Sequence, residues 1–248
     1  MATQSNHVMT DFCEQVNPRL LFDMRHVRVK PDQRIQQSWL AYPERRALLC
    51  LAWNTPEWLN SDHLTIVGFA AQVAAGAFYA LAKFNRLALM GVIVCLALNW
   101  LGDSLDGTLA RLRQRQRPRY GFYVDHMVDT FGALALMAGL ALSNYMNPWI
   151  ATGLLTGFLV LSIQSYLAAH TLGEFRLSFW RFGPTELRIL LAVGNLALFW
   201  KPMAHVFGHA YRLFDVGGVI GISGMSAMAV AFTVKNTVRL YREERIVE

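Results

Sequence analysis

The sequence predicts an all-α integral membrane protein: six transmembrane helices preceded by an amphipathic helix at the membrane surface. Three observations carry that expectation. Hydrophobic residues make up 54% of the 248 positions and charged residues only 16%, against roughly 25% charged in an ordinary soluble domain. The 44 positions between Asp129 and Glu174 contain no Asp, Glu, Lys or Arg. At about 1.5 Å per helical residue, such a run crosses a roughly 30 Å hydrocarbon core twice. The positive charges gather between the apolar runs, densely and sparsely by turns. A disordered chain is excluded, and so is a soluble enzyme with one compact core.

Residues 1–30 are polar, with no apolar stretch behind their first positive charges. They do not read as a signal peptide and form an unassigned N-terminal segment. Residues 31–60 form an amphipathic juxtamembrane region. Within it, positions 34–53 mix Ile35, Trp39, Leu40, Leu48, Leu49 and Leu51 with Arg34, Arg45 and Arg46, and Pro43 starts the second half. That mixture suits a helix lying on the inner leaflet with aromatic and basic residues at headgroup level; a short soluble helix against the loops is the other reading. Residues 61–248 hold the six-helix domain, with spans at 64–83, 87–113, 121–145, 148–170, 184–201 and 215–241. Each is an apolar run bounded by charges or turn residues. Asn147-Pro148 turns the third span into the fourth, and Pro184 opens the fifth at its first position. Gly217, Gly218, Gly221, Gly224 and Ala227 give the sixth span a stripe suited to close helix packing.

The Lys and Arg residues fix the expected orientation. With the N-terminus in the cytoplasm, nineteen of the 23 fall on the cytoplasmic side, and only Lys83, Arg86, Lys201 and Arg212 fall opposite. Both termini are therefore expected in the cytoplasm. The formal charge of +6 reads as topology signals and anionic-lipid contacts rather than nucleic-acid binding, because the positive residues flank spans. The three cysteines lack the C-x-x-C spacing of a zinc site.

Four of the nine aspartates sit where apolar helices meet the cytoplasm. Asp103 and Asp106 are spaced i, i+3, and Asp125 and Asp129 are spaced i, i+4, so each pair shares one helix face. A short basic hairpin joins the two helices, so the faces can turn toward each other. Asp103 lies about 12 Å below Arg111 along its helix. Intramembrane carboxylates are expensive and are functional candidates by default. Four together repel one another unless cations neutralise them, and hard divalent ions, Mg²⁺ above all, do so beside phosphates. Gly107 and Ala110 share the stripe of Asp103 and Asp106, and Gly121 precedes Asp125 by one turn, which opens room for a ligand. The competing reading pairs the aspartates with Arg111, Arg113 or Arg119 as snorkelling salt bridges; it explains neither the spacing nor the glycines.

D-x-x-D-G-x-x-A-R, nine residues, then G-x-x-x-D-x-x-x-D resembles the signature of the CDP-alcohol phosphotransferases, also called CDP-alcohol phosphatidyltransferases. All eight signature residues are present: Asp103, Asp106, Gly107, Ala110, Arg111, Gly121, Asp125 and Asp129. Asp62-His63-Leu64-Thr65 resembles the entry to the family's first helix, with Ser61 in place of the usual proline. The resemblance covers roughly residues 35–240 and implies the six-helix fold with its amphipathic N-terminal helix. It implies that a CDP-alcohol donor loses CMP as an acceptor hydroxyl attacks the phosphorus. It also implies two divalent ions, Mg²⁺ or Mn²⁺, held by Asp103, Asp106, Asp125 and Asp129, with Asp129 accepting the acceptor's proton. Asp62, Thr65, Gly107, Ala110 and Gly121 would surround the nucleotide; Arg111 is either a phosphate contact or a helix-end anchor. A homodimer is implied too. CDP-diacylglycerol with a small polar acceptor is the first expectation for the substrates. Gly183-Pro184-Thr185-Glu186 resembles a stretch of the choline and ethanolamine phosphotransferases, which use diacylglycerol as acceptor.

Other residues carry less. Thr185, Glu186 and Arg188 open the fifth span, either as ordinary start signals or as an acceptor pocket, since Arg188 stands one turn inside the membrane. Arg176 and Arg181 would meet an anionic acceptor or lipid headgroups. His205 and His209, spaced i, i+4, lie on the far side from the aspartates with no third ligand, and a surface role is expected. His126 points off the Asp125 face and suits packing. Two other functions use clustered acids. A prenyltransferase places its aspartate motifs further apart and lacks D-G-x-x-A-R. A cation transporter needs a path outward, which acids on one side without a broken helix do not supply.

Overall fold

The computed structural model describes residues 41–173 and 184–244. Its elements are α1 (Ala41–Trp53), α2 (Ser61–Ala82), α3 (Ala88–Leu112), α4 (Pro118–Leu142), α5 (Pro148–Leu172), α6 (Pro184–Trp200), the strands β1 (Met203–Val206) and β2 (His209–Arg212), and α7 (Leu213–Glu243). The first part of the expected amphipathic stretch, with Ile35, Trp39 and Leu40, lies outside the described residues, as do Arg176, Arg181 and the 1–30 segment.

The all-α membrane architecture holds, but the count of six spans is corrected. Among the described residues five helices, α2 to α5 and α7, are long and apolar enough to cross a membrane. The expected fifth span is α6, with 17 residues, or roughly 25 Å of helix against a hydrocarbon core of about 30 Å. Its C-terminal limit is set by Pro202, which disfavours helical backbone at Lys201 and has no N–H to continue the ladder.

A second difference follows at once. The stretch after Pro202 is an antiparallel hairpin, in which Val206 faces His209 and His205 faces Ala210. Phe207 and Gly208 both have positive φ, 50° and 83°, as a two-residue type I′ turn requires. The two histidines therefore stand on opposite faces of the ribbon, and the i, i+4 helical spacing does not apply to them. The hairpin caps the end of the bundle opposite the aspartates, since it continues from the C-terminal end of α6. At that same end the Asn147 N–H donates to Asp215 Oδ1 at 2.6 Å, and Asn147 Oδ1 caps α5 by accepting from the Trp149 N–H at 3.0 Å.

Helix α2 is the central post. Helices α3 and α4 each pack on α2 rather than on each other, α6 packs on α3, and α5 packs on α4 and α7. Glycines set the two close approaches. A Cβ on Gly102 would stand 2.6 Å from the Leu64 carbonyl and 2.7 Å from Gly68 Cα, so α3 and α2 touch backbone to backbone there. A Cβ on Gly139 would collide with the Gly76 carbonyl, which fixes the α2–α4 crossing in the same way. The main core is built from Tyr79, Leu89, Val92, Leu140 and Leu198, all fully buried. A second cluster packs Leu48 and Ala52 of α1 against Leu64, Leu105 and Leu109. Helix α1 thus clamps the bundle with one face while Tyr42, Leu51 and Trp53 stay exposed, the division expected of a helix at the membrane surface. Helix α7 buries little of its apolar surface against the rest of the bundle. Gly218 and Gly221 of its small-residue stripe meet Ile150 and Leu154 of α5, whereas Gly217 and Gly224 face open space.

Candidate active site

The backbone contacts of α2 decide where the aspartates stand. Gly102, locked on α2, immediately precedes Asp103, and a Cβ on Gly68 would lie 3.3 Å from the Asp103 backbone nitrogen. One turn on, Asp106 Oδ2 accepts from Thr65 Oγ1 of α2 at 2.5 Å. Ser61 Oγ also donates to the Asp106 carbonyl at 3.1 Å. Asp106 lies within electrostatic reach of Asp103 and Asp125. Asp129 lies within reach of Asp103, Asp106, Asp125 and Arg188. The two carboxylate pairs, from helices that both pack on α2 and are linked by the short 113–117 loop, therefore face one shared space. Among the described residues the Asp129 carboxylate accepts no hydrogen bond.

One cation is already in that space. Arg188 of α6 places Nη2 2.7 Å from Asp103 Oδ2, with side-chain exposures of only 14% and 29%. Its Nε donates to Asn99 Oδ1 at 2.8 Å. Asn99 is itself held by donating to the Gly68 carbonyl at 3.0 Å and to Gln72 Oε1 at 3.3 Å. The salt-bridge alternative thus names the wrong arginines for Asp103. Arg113 instead turns back to donate to the carbonyls of Leu59 at 2.6 Å, Pro56 at 2.8 Å and Thr55 at 2.9 Å, pinning the α1–α2 turn. Arg111 bends along its own helix to Thr108 Oγ1 at 3.3 Å.

With this geometry the sequence signature can be set beside known proteins. Residues 58–234 match the family model of the CDP-alcohol phosphatidyltransferases. The chain belongs to that family. It is also similar to the inner membrane protein YnjF of Escherichia coli (strain K12), with 30% identity over 155 residues, covering 57% of this chain and 72% of that protein. As a CDP-alcohol phosphatidyltransferase family member, the chain is a membrane-embedded transferase of phosphate-containing groups in phospholipid synthesis.

The remaining signature positions divide into open and engaged. A Cβ on Gly121 would meet nothing within 4 Å, and one on Gly107 would meet only the Arg111 guanidinium, at 3.5 Å. Helix packing therefore does not demand glycine at either position, which leaves unfilled volume beside Asp106 and Asp125. Ala110 is half-buried on the same helix as Gly107. Asp62 is ion-paired with Arg117 of the α3–α4 loop, which ties the N-terminal end of α2 to that loop. Thr65 is engaged as a partner of Asp106. Thr185 donates to Glu44 Oε1 at 2.9 Å, and Glu186, next to it, is half-buried. His126 is buried and packs between Phe122 and Tyr166, with ring centroids 4.2 and 4.8 Å away.

Among the described residues, no three His, Cys, Asp or Glu side chains converge into a ready ligand group. The chemistry of the donor set still fits a hard divalent cation: hard carboxylate oxygens from two helices share one space, and Asp129 accepts no hydrogen bond from the described residues there. Sequence reading missed Glu44, a first-turn acid of the amphipathic α1, and Gln72 and Asn99, polar residues deep in apolar spans; the partners of all three lie on other elements. For Gln72 and Asn99 the signal present was their cost: amide groups inside a span demand partners.

Proposed function

We propose that the chain transfers a phosphatidyl group from CDP-diacylglycerol to the hydroxyl of a small polar acceptor, releasing CMP, with divalent cations and a cytoplasmic-facing site. The observation that supports this reading is that Asp103, Asp106, Asp125 and Asp129 lie within electrostatic reach of one another inside a family-matched signature. Bound there by the four aspartates, two Mg²⁺ ions, or Mn²⁺, would neutralise the diphosphate and stabilise the leaving CMP. Asp129 accepts the proton of the acceptor hydroxyl; the hydroxyl oxygen forms a bond to phosphorus as the bond to the CMP oxygen breaks. Thr65 holds the Asp106 carboxylate in place, and Asn99 holds Arg188 against Asp103. The open volume at Gly107, Ala110 and Gly121 receives the nucleotide, with Asp62 at its edge and Arg111 close to its phosphates. Thr185, Glu186 and Arg188, at the start of α6, face the side from which the acceptor approaches. The protein would act as a homodimer.

Family membership leaves the cation-transporter reading without support. The choline- or ethanolamine-type reading rests on Gly183–Glu186 alone, and the Thr185–Glu44 contact is compatible with either donor. The deciding experiment offers the reconstituted protein CDP-diacylglycerol, CDP-choline and CDP-ethanolamine with a panel of acceptors. Release of CMP would be scored and the lipid product identified by mass. A phosphatidyl product from CDP-diacylglycerol is expected. Turnover only with CDP-choline or CDP-ethanolamine plus diacylglycerol would transfer the assignment to the second reading, and no CMP from any donor would remove both.

A further inference from the structure

Glu44, in the first turn of α1, brings three separate elements together on a single atom. Its Oε1 accepts from Trp100 Nε1 at 2.8 Å and from Ser104 Oγ at 3.3 Å, both on α3. The same oxygen accepts from Thr185 Oγ1 of α6 at 2.9 Å. Trp100 and Ser104 are one turn apart and present one face of α3 to α1. Ser104 is the residue between Asp103 and Leu105, and Thr185 precedes Arg188 by one turn of α6. The contacts therefore close a ring: from Glu44 through Thr185 and α6 to Arg188, across the 2.7 Å pair to Asp103, and back through Ser104 to Glu44. Opening the ring at Glu44 frees the start of α6, which carries the cation paired with Asp103.

We infer that Glu44 is a positioning residue for the phosphotransfer site, making the surface helix α1 the clamp that sets Arg188 opposite Asp103. The inference rests on the proposed function for its activity readout and on geometry alone for its structural one. Glu44 need not touch substrate. Its work is to accept, and removing the acceptor leaves three part-buried donors without their partner. The substitution Glu44→Gln keeps the shape and one accepting oxygen, whereas Glu44→Ala removes all three contacts.

The test compares the full chain as wild type, Glu44→Ala, Glu44→Gln and Thr185→Val in lipid nanodiscs. Amide hydrogen exchange across residues 184–190 and CMP release are both measured. In Glu44→Ala, exchange at the start of α6 should rise about tenfold or more, exchange within α5 should stay at the wild-type rate, and turnover should fall by a similar factor. Glu44→Gln should recover most of both losses. Thr185→Val, which leaves α1 untouched, should reproduce the faster α6 exchange and covers the case in which Glu44→Ala fails to fold. Unchanged α6 exchange in both Glu44→Ala and Thr185→Val, or a Glu44→Gln protein as impaired as Glu44→Ala, would overturn the inference. Absence of CMP release from the wild type counts instead against the proposed function, because the exchange measurement is independent of it.

Discussion

Replacing Gly102 by alanine adds one methyl group at the tightest point behind the aspartates. The new Cβ would stand 2.6 Å from the Leu64 carbonyl oxygen and 2.7 Å from both Gly68 Cα and Gly68 N. All three neighbours are backbone, so no side-chain rotation relieves the clash. Ordinary contact begins at 3.4 Å, so α3 must withdraw from α2 by about 0.8 Å. Overpacking of this kind costs about 1–3 kcal/mol. Asp103 is the next residue and Asp106 lies one turn beyond, so both carboxylates move with the helix while Asp125 and Asp129 stay on α4. Misplacement approaching 1 Å in a catalytic site costs on the order of 10²-fold in rate. Gly102→Ala should therefore lower the thermal midpoint in detergent and cut CMP release by roughly that factor. Gly217→Ala is the control, since its Cβ meets nothing within 4 Å, and it should leave both measurements unchanged. A Gly102→Ala protein with the wild-type midpoint and wild-type turnover would refute the claim that this crossing positions the site.

Four further outcomes are expected, three from the site and one from the distribution of charge along the chain. Gly121→Ala should unfold at the wild-type temperature, because its Cβ meets nothing, yet require more CDP-alcohol for half-maximal rate; an unchanged donor requirement would show that the nucleotide does not use that space. Asp129→Asn keeps the size of the side chain but removes the basic carboxylate, so turnover should fall by about 10²–10⁴-fold or more while donor binding partly survives, as read by a cytidine-nucleotide thermal shift. Asp103→Ala should weaken donor binding as well, and near wild-type turnover of Asp129→Asn at saturating substrates would dismiss it as the base. Single cysteines placed at positions 113–117 should react with an impermeant thiol reagent only from the cytoplasmic side, and labelling from outside intact cells would reverse the orientation drawn from the charges.

The membrane architecture was legible in the sequence because burial in lipid writes itself in composition: spans must be apolar throughout, whatever they pack against. The signature aspartates were legible for the opposite reason, as charges where hydrocarbon should be. What the sequence hid was everything set by pairing across elements. Arg188 reads as an acceptor residue or a start signal, and only the meeting of α6 with α3 reveals it as the partner of Asp103. Glu44 looks like an ordinary first-turn acid, and its three donors lie 56, 60 and 141 positions away. The glycines misled in part. Gly217 and Gly224 of the conspicuous stripe meet nothing, while Gly68, Gly76, Gly102 and Gly139, scattered over three helices, make the close approaches. The hairpin at Phe207-Gly208 carries a usable signal in the sequence, a two-residue turn between short alternating segments.

The central claim, that four carboxylates on α3 and α4 serve cation-dependent release of CMP, meets its most direct test in one titration. Purified protein in liposomes containing CDP-diacylglycerol and a small polar acceptor is assayed for CMP while free Mg²⁺ is first stripped with excess EDTA and then restored. CMP release should cease under chelation and return with Mg²⁺ or Mn²⁺; full release of CMP in excess EDTA would contradict it.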